Sequence, residues 1–180
     1  MPDITRLVLL DHEDLRRMFA DLDDAQASGE VSAISAAWKP LAELLDLHAE
    51  TEEQVFYPRL LEVGDHAEDE TEDAIKDHNK IRDAVRDAGQ HEVGTDEWWE
   101  AVGRARTENS KHVGEEEREA LPDFRLNADP NTLDQLGLRW LEYRAAHEGE
   151  PDIVPQDKSV DEYLAEHDSG GASSGGGAGR

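Results

Sequence analysis

The sequence contains no cysteine, few basic residues and no long apolar run. Without cysteine the chain forms neither disulfides nor thiolate metal sites, so any bound metal must be held by imidazole and carboxylate groups. Eighteen Lys and Arg stand against 44 Asp and Glu, which gives a formal net charge of −26. A surface this negative repels phosphate backbones and anionic lipids, which argues against nucleic-acid and membrane partners.

No segment approaches the roughly 20 apolar residues that a membrane-spanning helix needs. The start of the sequence, Met1-Pro2-Asp3, shows no basic region followed by an apolar run, as a secretory signal would. These two absences predict a soluble, cytoplasmic protein.

Four segments place apolar residues three and four positions apart, which is the spacing of one face of an α-helix. They cover about residues 4–27, 32–63, 65–89 and 95–122. The connections at Gly29, Gly64 and Gly94 are short, and short connections between long amphipathic helices favour antiparallel neighbours. The predicted fold is therefore all-α, an up-down-up-down antiparallel four-helix bundle.

The bundle is predicted to occupy residues 1–125. A C-terminal helical extension over residues 126–168 follows, with one helix from 131 to 147 and a short one from 159 to 166. The Gly/Ser-rich end, residues 169–180, is predicted to be a disordered tail.

Three helix starts carry capping signatures. Thr95 is predicted to be the N-cap of the fourth helix. Asp65 with Glu68, and Ser159 with Glu162, have the spacing of a capping box.

An internal repeat is the most informative feature of the sequence. The pattern Asp-His-x-x-apolar-Arg occurs at residues 11–16 and again at 77–82. A second pattern, His-x-x-x-Glu with a proline ten residues after the histidine, also occurs twice. Its members are His48, Glu52 and Pro58 in the first copy and His112, Glu116 and Pro122 in the second. The copies are offset by 66 residues (78−12) and 64 residues (112−48), so the chain contains two histidine-bearing helical hairpins.

The repeated histidines and glutamates fall on the apolar faces of their helices. His12, for example, lies between Val8 and Leu15, and residues four apart share a helix face, so each His-x-x-x-Glu pair points inward. The residues predicted to meet in the core are His12, His48, Glu52, His78, His112 and Glu116.

Such a polar core needs compensation, because moving one carboxylate out of water costs several kcal/mol. Bound cations would supply the missing positive charge. Imidazole and carboxylate without sulfur suit iron, manganese or zinc. Two sets of two histidines and one glutamate predict two metals bridged by both carboxylates.

These residues make the chain resemble the hemerythrin family, specifically its bacterial HHE cation-binding branch. The resemblance covers about residues 4–125 and rests on the doubled His … His-x-x-x-Glu pattern. It implies a four-helix bundle around two non-haem iron ions (Fe2+ or Fe3+) with a bridging oxo or hydroxo group, for which manganese or zinc could substitute. By position, His12, His48 and Glu52 would serve one half of the centre, and His78, His112 and Glu116 the other.

The chain also departs from the oxygen-carrying hemerythrins. The carriers have five histidines, one of them in a His-x-x-x-His of the third helix, where this chain has Arg82. Their bridging Asp lies five residues after the histidine of the fourth helix, at the position of Glu117, whereas the repeat favours Glu116. Glu53 and Glu117 lie about 100° round the helix from their neighbours. They are predicted to be rim or supporting groups, with an exchange of ligand between neighbours left open.

The ligand count leads to a functional hypothesis. Two histidines, two carboxylate oxygens and one bridging oxygen leave each octahedral metal with one open position. Two open positions favour oxidoreductase chemistry on O2, hydrogen peroxide or nitric oxide, including catalase-like activity, over simple carriage of O2. The alternatives are a module that senses iron or O2 and a storage protein without turnover.

The other histidines are predicted not to bind metal. His66 has Glu70 four residues on but no repeat partner inside the bundle. His91 and His147 end helices, where positive charge is favourable, and His167 lies near the tail. The chain contains no Glu-x-x-His, the motif of ferritin-like di-iron proteins.

Overall fold

The computed structural model describes residues 2–147, 149 and 156–167. Within this part of the chain all regular structure is helical, which confirms the all-α prediction. The elements are α1 (Ile4–Ser28), α2 (Val31–Thr51), a π-helical segment (Glu52–Phe56), α3 (Tyr57–Val63), α4 (Ala67–Ala88), α5 (Asp96–Arg118), α6 (Ala120–Asn127), α7 (Pro130–His147) and α8 (Val160–His167). The predicted disordered tail, residues 169–180, lies outside the described residues.

Helix α5 runs antiparallel to both α1 and α4. Helix α1 packs on α2 and α5, and α4 packs on α5 and α2. Ion pairs between helices show the direction, since higher numbers on one helix meet lower numbers on the next. These pairs are Arg106–Asp23 and His12–Glu117 between α5 and α1, and Arg104–Asp87 and Lys111–Asp77 between α5 and α4.

The second and fourth predicted helical segments each comprise more than one helical element in the structure. Pro58 lacks an N–H, and its ring would clash with the carbonyl of Gln54 in a regular α-helix. The chain accommodates it with a π turn, in which the Tyr57 N–H donates to the carbonyl of Glu52. In the second repeat, the chain breaks at Glu119 (φ −122°, ψ −78°), and Pro122 falls in the first turn of α6.

The predicted caps have different outcomes. Thr95 accepts a hydrogen bond from the Trp98 N–H, which confirms it as the cap of α5. The predicted capping box of Asp65 and Glu68 is wrong. Helix α4 begins after His66, and the amides of Asp65 and His66 donate to the carboxylate of Asp123, a residue distant in sequence.

The C-terminal extension is helical as predicted and packs on the bundle. Helix α7 lies against α1 and α2, and α8 lies against α4. A Cβ on Gly137 of α7 would lie 1.7 Å from the carbonyl oxygen of Pro2, so only glycine allows this close approach of the N-terminal residues. The assignment of residues 126–168 to a separate extension remains a prediction.

Two apolar clusters fill the interior on either side of a polar layer. The first includes Ile4, Val8, Phe56, Phe124 and Trp140. The second includes Leu15, Phe19, Leu41, Ile81 and Trp98. His12 lies between Val8 of the first and Leu15 of the second, so the histidines sit where the two clusters meet. Among the described residues, no helix has both the length and the apolar character needed to cross a bilayer.

Candidate metal centre

The structure brings all the predicted ligand residues together in this polar layer. Four helical segments supply them: α1, the end of α2 with the π segment, α4 and α5. Each is at most 4 % exposed: His12, His48, Glu52, His78, His112 and Glu116. The helical periodicity therefore places every one of the six side chains in the interior.

Glu52 is the centre of the arrangement. Its Oε1 lies 3.1 Å from His48 Nε2 and 4.0 Å from His12 Nε2. Its Oε2 lies 3.1 Å from His78 Nε2 and 3.6 Å from His112 Nε2. One carboxylate thus faces two pairs of imidazole nitrogens, each pair on its own oxygen.

The donor atoms form two groups that share Glu52. In the first, the His12–His48 group, the atoms of His12, His48, Glu52 and Glu116 all lie within 4.8 Å of one another. In the second, the His78–His112 group, the same holds for Glu52, His78 and His112.

Glu116 does not follow the division predicted from the repeat. Its Oε2 lies 3.1 Å from His12 Nε2, which places it in the His12–His48 group rather than with His78 and His112. The cause is the packing of the bundle, because α5 lies beside α1 and so presents Glu116 to the histidine of the other repeat.

The outer nitrogens of three histidines are held by carboxylates. Nδ1 of His78 lies 2.7 Å from Glu53, Nδ1 of His12 lies 3.0 Å from Glu117, and Nδ1 of His48 lies 3.4 Å from Asp11. An ionised carboxylate only accepts hydrogen bonds, so each Nδ1–H donates outward, and loss of the Nε2 proton leaves the lone pair of that nitrogen directed at the centre. This tautomer is the one that a metal-binding histidine uses. Glu53 and Glu117 therefore contact the imidazoles from outside.

The charges of these groups perturb each other strongly. Burial alone would lower the pKa of His48, but the negative charge of Glu52 and the hydrogen bond with Asp11 raise it to about 10. Burial would raise the pKa of Glu53, but its contacts with His78 and Arg82 lower it to about 2. The surrounding histidines likewise hold the pKa of the buried Glu52 carboxyl well below its usual range. The layer therefore keeps Glu52 and Glu53 ionised and favours positive charge beside them.

Tyr57 belongs to the site although the sequence did not point to it. Its hydroxyl donates to Glu116 Oε1 at 3.0 Å and lies 3.3 Å from Glu52 Oε2. In a regular α-helix, position 57 would lie about 140° round the axis from position 52. The π turn shortens that angle and brings both side chains to the same face. Burial and the negative charge of Glu116 raise the pKa of Tyr57 well above its usual value.

The C-terminal extension also contacts the site. The Trp140 ring of α7 lies 5.9 Å from the His48 ring, and Arg144 is paired with Asp11. The Tyr163 hydroxyl of α8 donates to the carbonyl of Glu53 at 2.6 Å, and Lys158, which precedes α8, is paired with the Glu53 carboxylate.

The histidines that were predicted not to bind metal lie outside both groups of donor atoms. They are His66, His91, His147 and His167. His66 lines a cavity of about 420 Å³ that extends inward to Tyr57, His112 and Glu116.

Comparison with known proteins gives one match. The sequence model of the Hemerythrin HHE cation binding domain matches residues 3–124, which is more than half of the chain. No curated protein and no solved structure shows a significant match.

Proposed function

Because the chain belongs to the hemerythrin HHE cation-binding domain family, we propose that its polar layer holds two iron ions and acts on O2, hydrogen peroxide or nitric oxide. The proposed ligands are His12, His48, Glu52, His78, His112 and Glu116. The four long helical segments would form an up-down-up-down bundle around them. Manganese or zinc would suit the same donor set.

This proposal rests on a set of buried nitrogen and oxygen atoms that could bind a metal and that have no hydrogen-bond partner. They are His12 Nε2, His48 Nε2, Glu52 Oε1 and Glu116 Oε2. Buried polar atoms normally find partners, and leaving one unsatisfied costs about 1–3 kcal/mol. These atoms nevertheless approach one another to 3.1 Å. Adjacent ligands on an octahedral cation with bonds of about 2.1 Å lie about 3 Å apart, so this spacing fits atoms directed at a shared ion.

The charge balance supports the same conclusion. Glu53 has cationic partners in Arg82, at 2.8 Å, and Lys158. The ion-pair partners of Glu52 and Glu116 are histidines. Two cations in the layer would neutralise these carboxylates directly and let the imidazoles bind as neutral ligands.

The residues around the ions have separate roles in this proposal. Bound iron would supply Lewis acidity and reversible electron transfer. The Tyr57 O–H holds Glu116 and Glu52 in orientation, and the carboxylates at Nδ1 fix the tautomer and direction of the imidazoles. The two apolar clusters exclude water from the layer on the two sides that they cover.

Metal analysis of purified protein tests the proposal. We expect about two iron ions per chain, as follows from the two donor groups. His48→Ala and His112→Ala should each lose at least the ion of its own group and weaken the near-ultraviolet absorption, whereas the matched control His91→Ala, outside both groups, should keep the full metal content and absorption. Full metal content in both site variants would refute the assignment.

Turnover is tested separately from binding. Adding hydrogen peroxide to the iron-loaded protein should release O2 if the activity is catalase-like. The absence of O2 release and of peroxide consumption would remove that activity and leave the binding proposal standing.

The contacts of α8 with Glu53 favour a second candidate, in which the protein senses iron. Glu53 holds His78, so the presence of metal and the docking of α8 through Lys158 and Tyr163 would depend on each other. Limited proteolysis should then cleave the C-terminal region faster in metal-free protein. Equal cleavage with and without iron would reject sensing by this route.

A further inference from the structure

The cavity that ends at the polar layer connects it with solvent. Its inner end is formed by the buried residues Tyr57, His112 and Glu116. Glu116 is 4 % exposed, and its Oε2 has no hydrogen-bond partner. Two of the proposed ligands are thus reached directly through this opening.

The outer part of the cavity is lined by carboxylates from α4 and the end of α5. They are Asp69, Glu70, Asp73, Asp77, Glu115 and Glu119, and the lining includes no Lys or Arg. Lys111 pairs with Asp77 and Glu115, Lys80 also pairs with Asp77, and Lys76 pairs with Asp73. In the part of the chain that the structure describes, Asp69, Glu70 and Glu119 take part in no ion pair. Burial and the negative charge of Asp123 and Glu119 raise the pKa of Glu70 to about 7, and Glu119 belongs to the same cavity wall.

A further cavity is also acidic, with Glu62, Asp65 and Glu68 and no Lys or Arg in its lining, but it includes no proposed ligand. Two others differ in both respects. One is lined by Arg16 and Arg106 and another by Arg59 and Arg139, and neither includes a proposed ligand. Negative charge and contact with the donor atoms therefore coincide at the cavity beside Glu116.

A cleft lined by charge of one sign concentrates ions of the opposite sign and raises their rate of entry by 10- to 1,000-fold. We propose that this cavity is the entry route for Fe2+, in which Asp69, Glu70 and Asp73 attract the hydrated ion and pass it to Glu116 and His112. The inference rests on the proposed function, because it supplies the cations that the polar layer would hold. Carboxylate oxygens are suited to this task, since they exchange a hard cation between neighbouring groups.

The rate of metal entry tests the route. Fe2+ is added to metal-free protein under anaerobic conditions, and tryptophan fluorescence is followed by stopped flow, because Trp140 lies 5.9 Å from His48 and its emission should be quenched as the site fills. In the variant Asp69→Asn/Glu70→Gln/Asp73→Asn, entry at low ionic strength should be about 10-fold slower. The final iron content should stay equal to that of the wild type. Added salt should slow the wild type more than the variant.

A matched control removes the same charge elsewhere. Asp21→Asn/Asp24→Asn/Glu100→Gln changes exposed carboxylates of α1 and α5 that do not line the cavity. It should load at the wild-type rate. Entry at the wild-type rate in the cavity variant, or equal slowing in the control, would overturn the route.

Failure of the proposed function gives a different result. If the wild type itself takes up no iron, the metal centre and its entry route both fail. If the wild type takes up two ions per chain and the cavity variant does so equally fast, only the route is rejected.

Discussion

The His12–His48 group and the His78–His112 group derive from the same repeated pattern but lie in different surroundings. Helix α7 covers the first group with Trp140 over His48, and Arg144 anchors Asp11 behind that imidazole. The second group lies beside the open cavity, which reaches His112. The imidazole of His48 is thus covered by protein, whereas the cavity reaches His112 and also Glu116, the one member of the first group that lines it.

The residues that support the ligands differ in the same way. Asp11 is bonded to His48, whereas its repeat equivalent Asp77 accepts from Lys80 and Lys111. Burial and the positive charge of His78 lower the pKa of His112, while that of His48 is raised. The repeat supplies matching ligands, and the residues around them make the two halves unequal.

The largest expected effect comes from the carboxylate that both groups share. Glu52→Ala should abolish binding of both iron ions, because each oxygen of Glu52 faces one pair of histidines. Glu116→Ala should keep about one ion per chain, because Glu116 belongs to the His12–His48 group alone. Iron content per folded chain is the measurement. Equal loss of iron in the two variants would show that the groups are not separable in this way.

Trp140, which covers the first group, should contribute strongly to the free energy of unfolding. Trp140 is 1 % exposed, so Trp140→Ala should lower the free energy of unfolding by about 3–5 kcal/mol. Leu141→Ala on the same helix is the control, since Leu141 is 45 % exposed and its loss should cost less than about 1 kcal/mol. Chemical denaturation of both metal-free variants measures the difference. A similar loss of stability in the two would contradict the claim that Trp140 stabilises the protein by packing over the first group.

Tyr57 distinguishes the two repeats, because the equivalent position, 64 residues on, is Leu121. Tyr57→Phe keeps the ring and removes the hydrogen bonds to Glu116 and Glu52. Iron affinity should fall about 10-fold, the lower end of the range for groups that orient metal ligands. Competition with a chelator measures this, and an unchanged affinity would exclude an orienting role.

The smallest predicted effect is a pH-dependent gain in stability of the variant Glu70→Gln. The pKa of Glu70 is raised from 4.5 to about 7, so the folded state holds its proton more tightly and loses stability as pH rises from about 4.5 through 7. Glu70→Gln should therefore be more stable than the wild type at pH 8, by about 1 kcal/mol or less because the group is partly exposed to solvent. At pH 4 the two should be equal. Denaturation at both pH values measures this, and an equal difference at both would rule out ionisation of Glu70 as the cause.

The repeat and the helical periodicity were sufficient to predict the buried layer. Both depend on local spacing, so His48 and Glu52 share a face once this segment is helical, whichever elements pack against it. The π turn could not be read in the same way, because Pro58 indicates a disturbance without specifying its form. Tyr57 was missed for this reason.

Features that depend on packing between distant segments could not be predicted from the sequence either. Glu116 joins His12 because α5 packs on α1. Asp123 replaces the predicted capping box at Asp65 because α6 comes close to the start of α4. No spacing along the chain records these contacts.

Anomalous diffraction at the iron edge, on crystals of the iron-loaded protein, tests the central claim most directly. The account predicts two peaks on opposite sides of the Glu52 carboxylate, one bonded to His12, His48 and Glu116 and the other to His78 and His112. The absence of a peak among these residues, or a single ion that Glu52 does not contact, would contradict it.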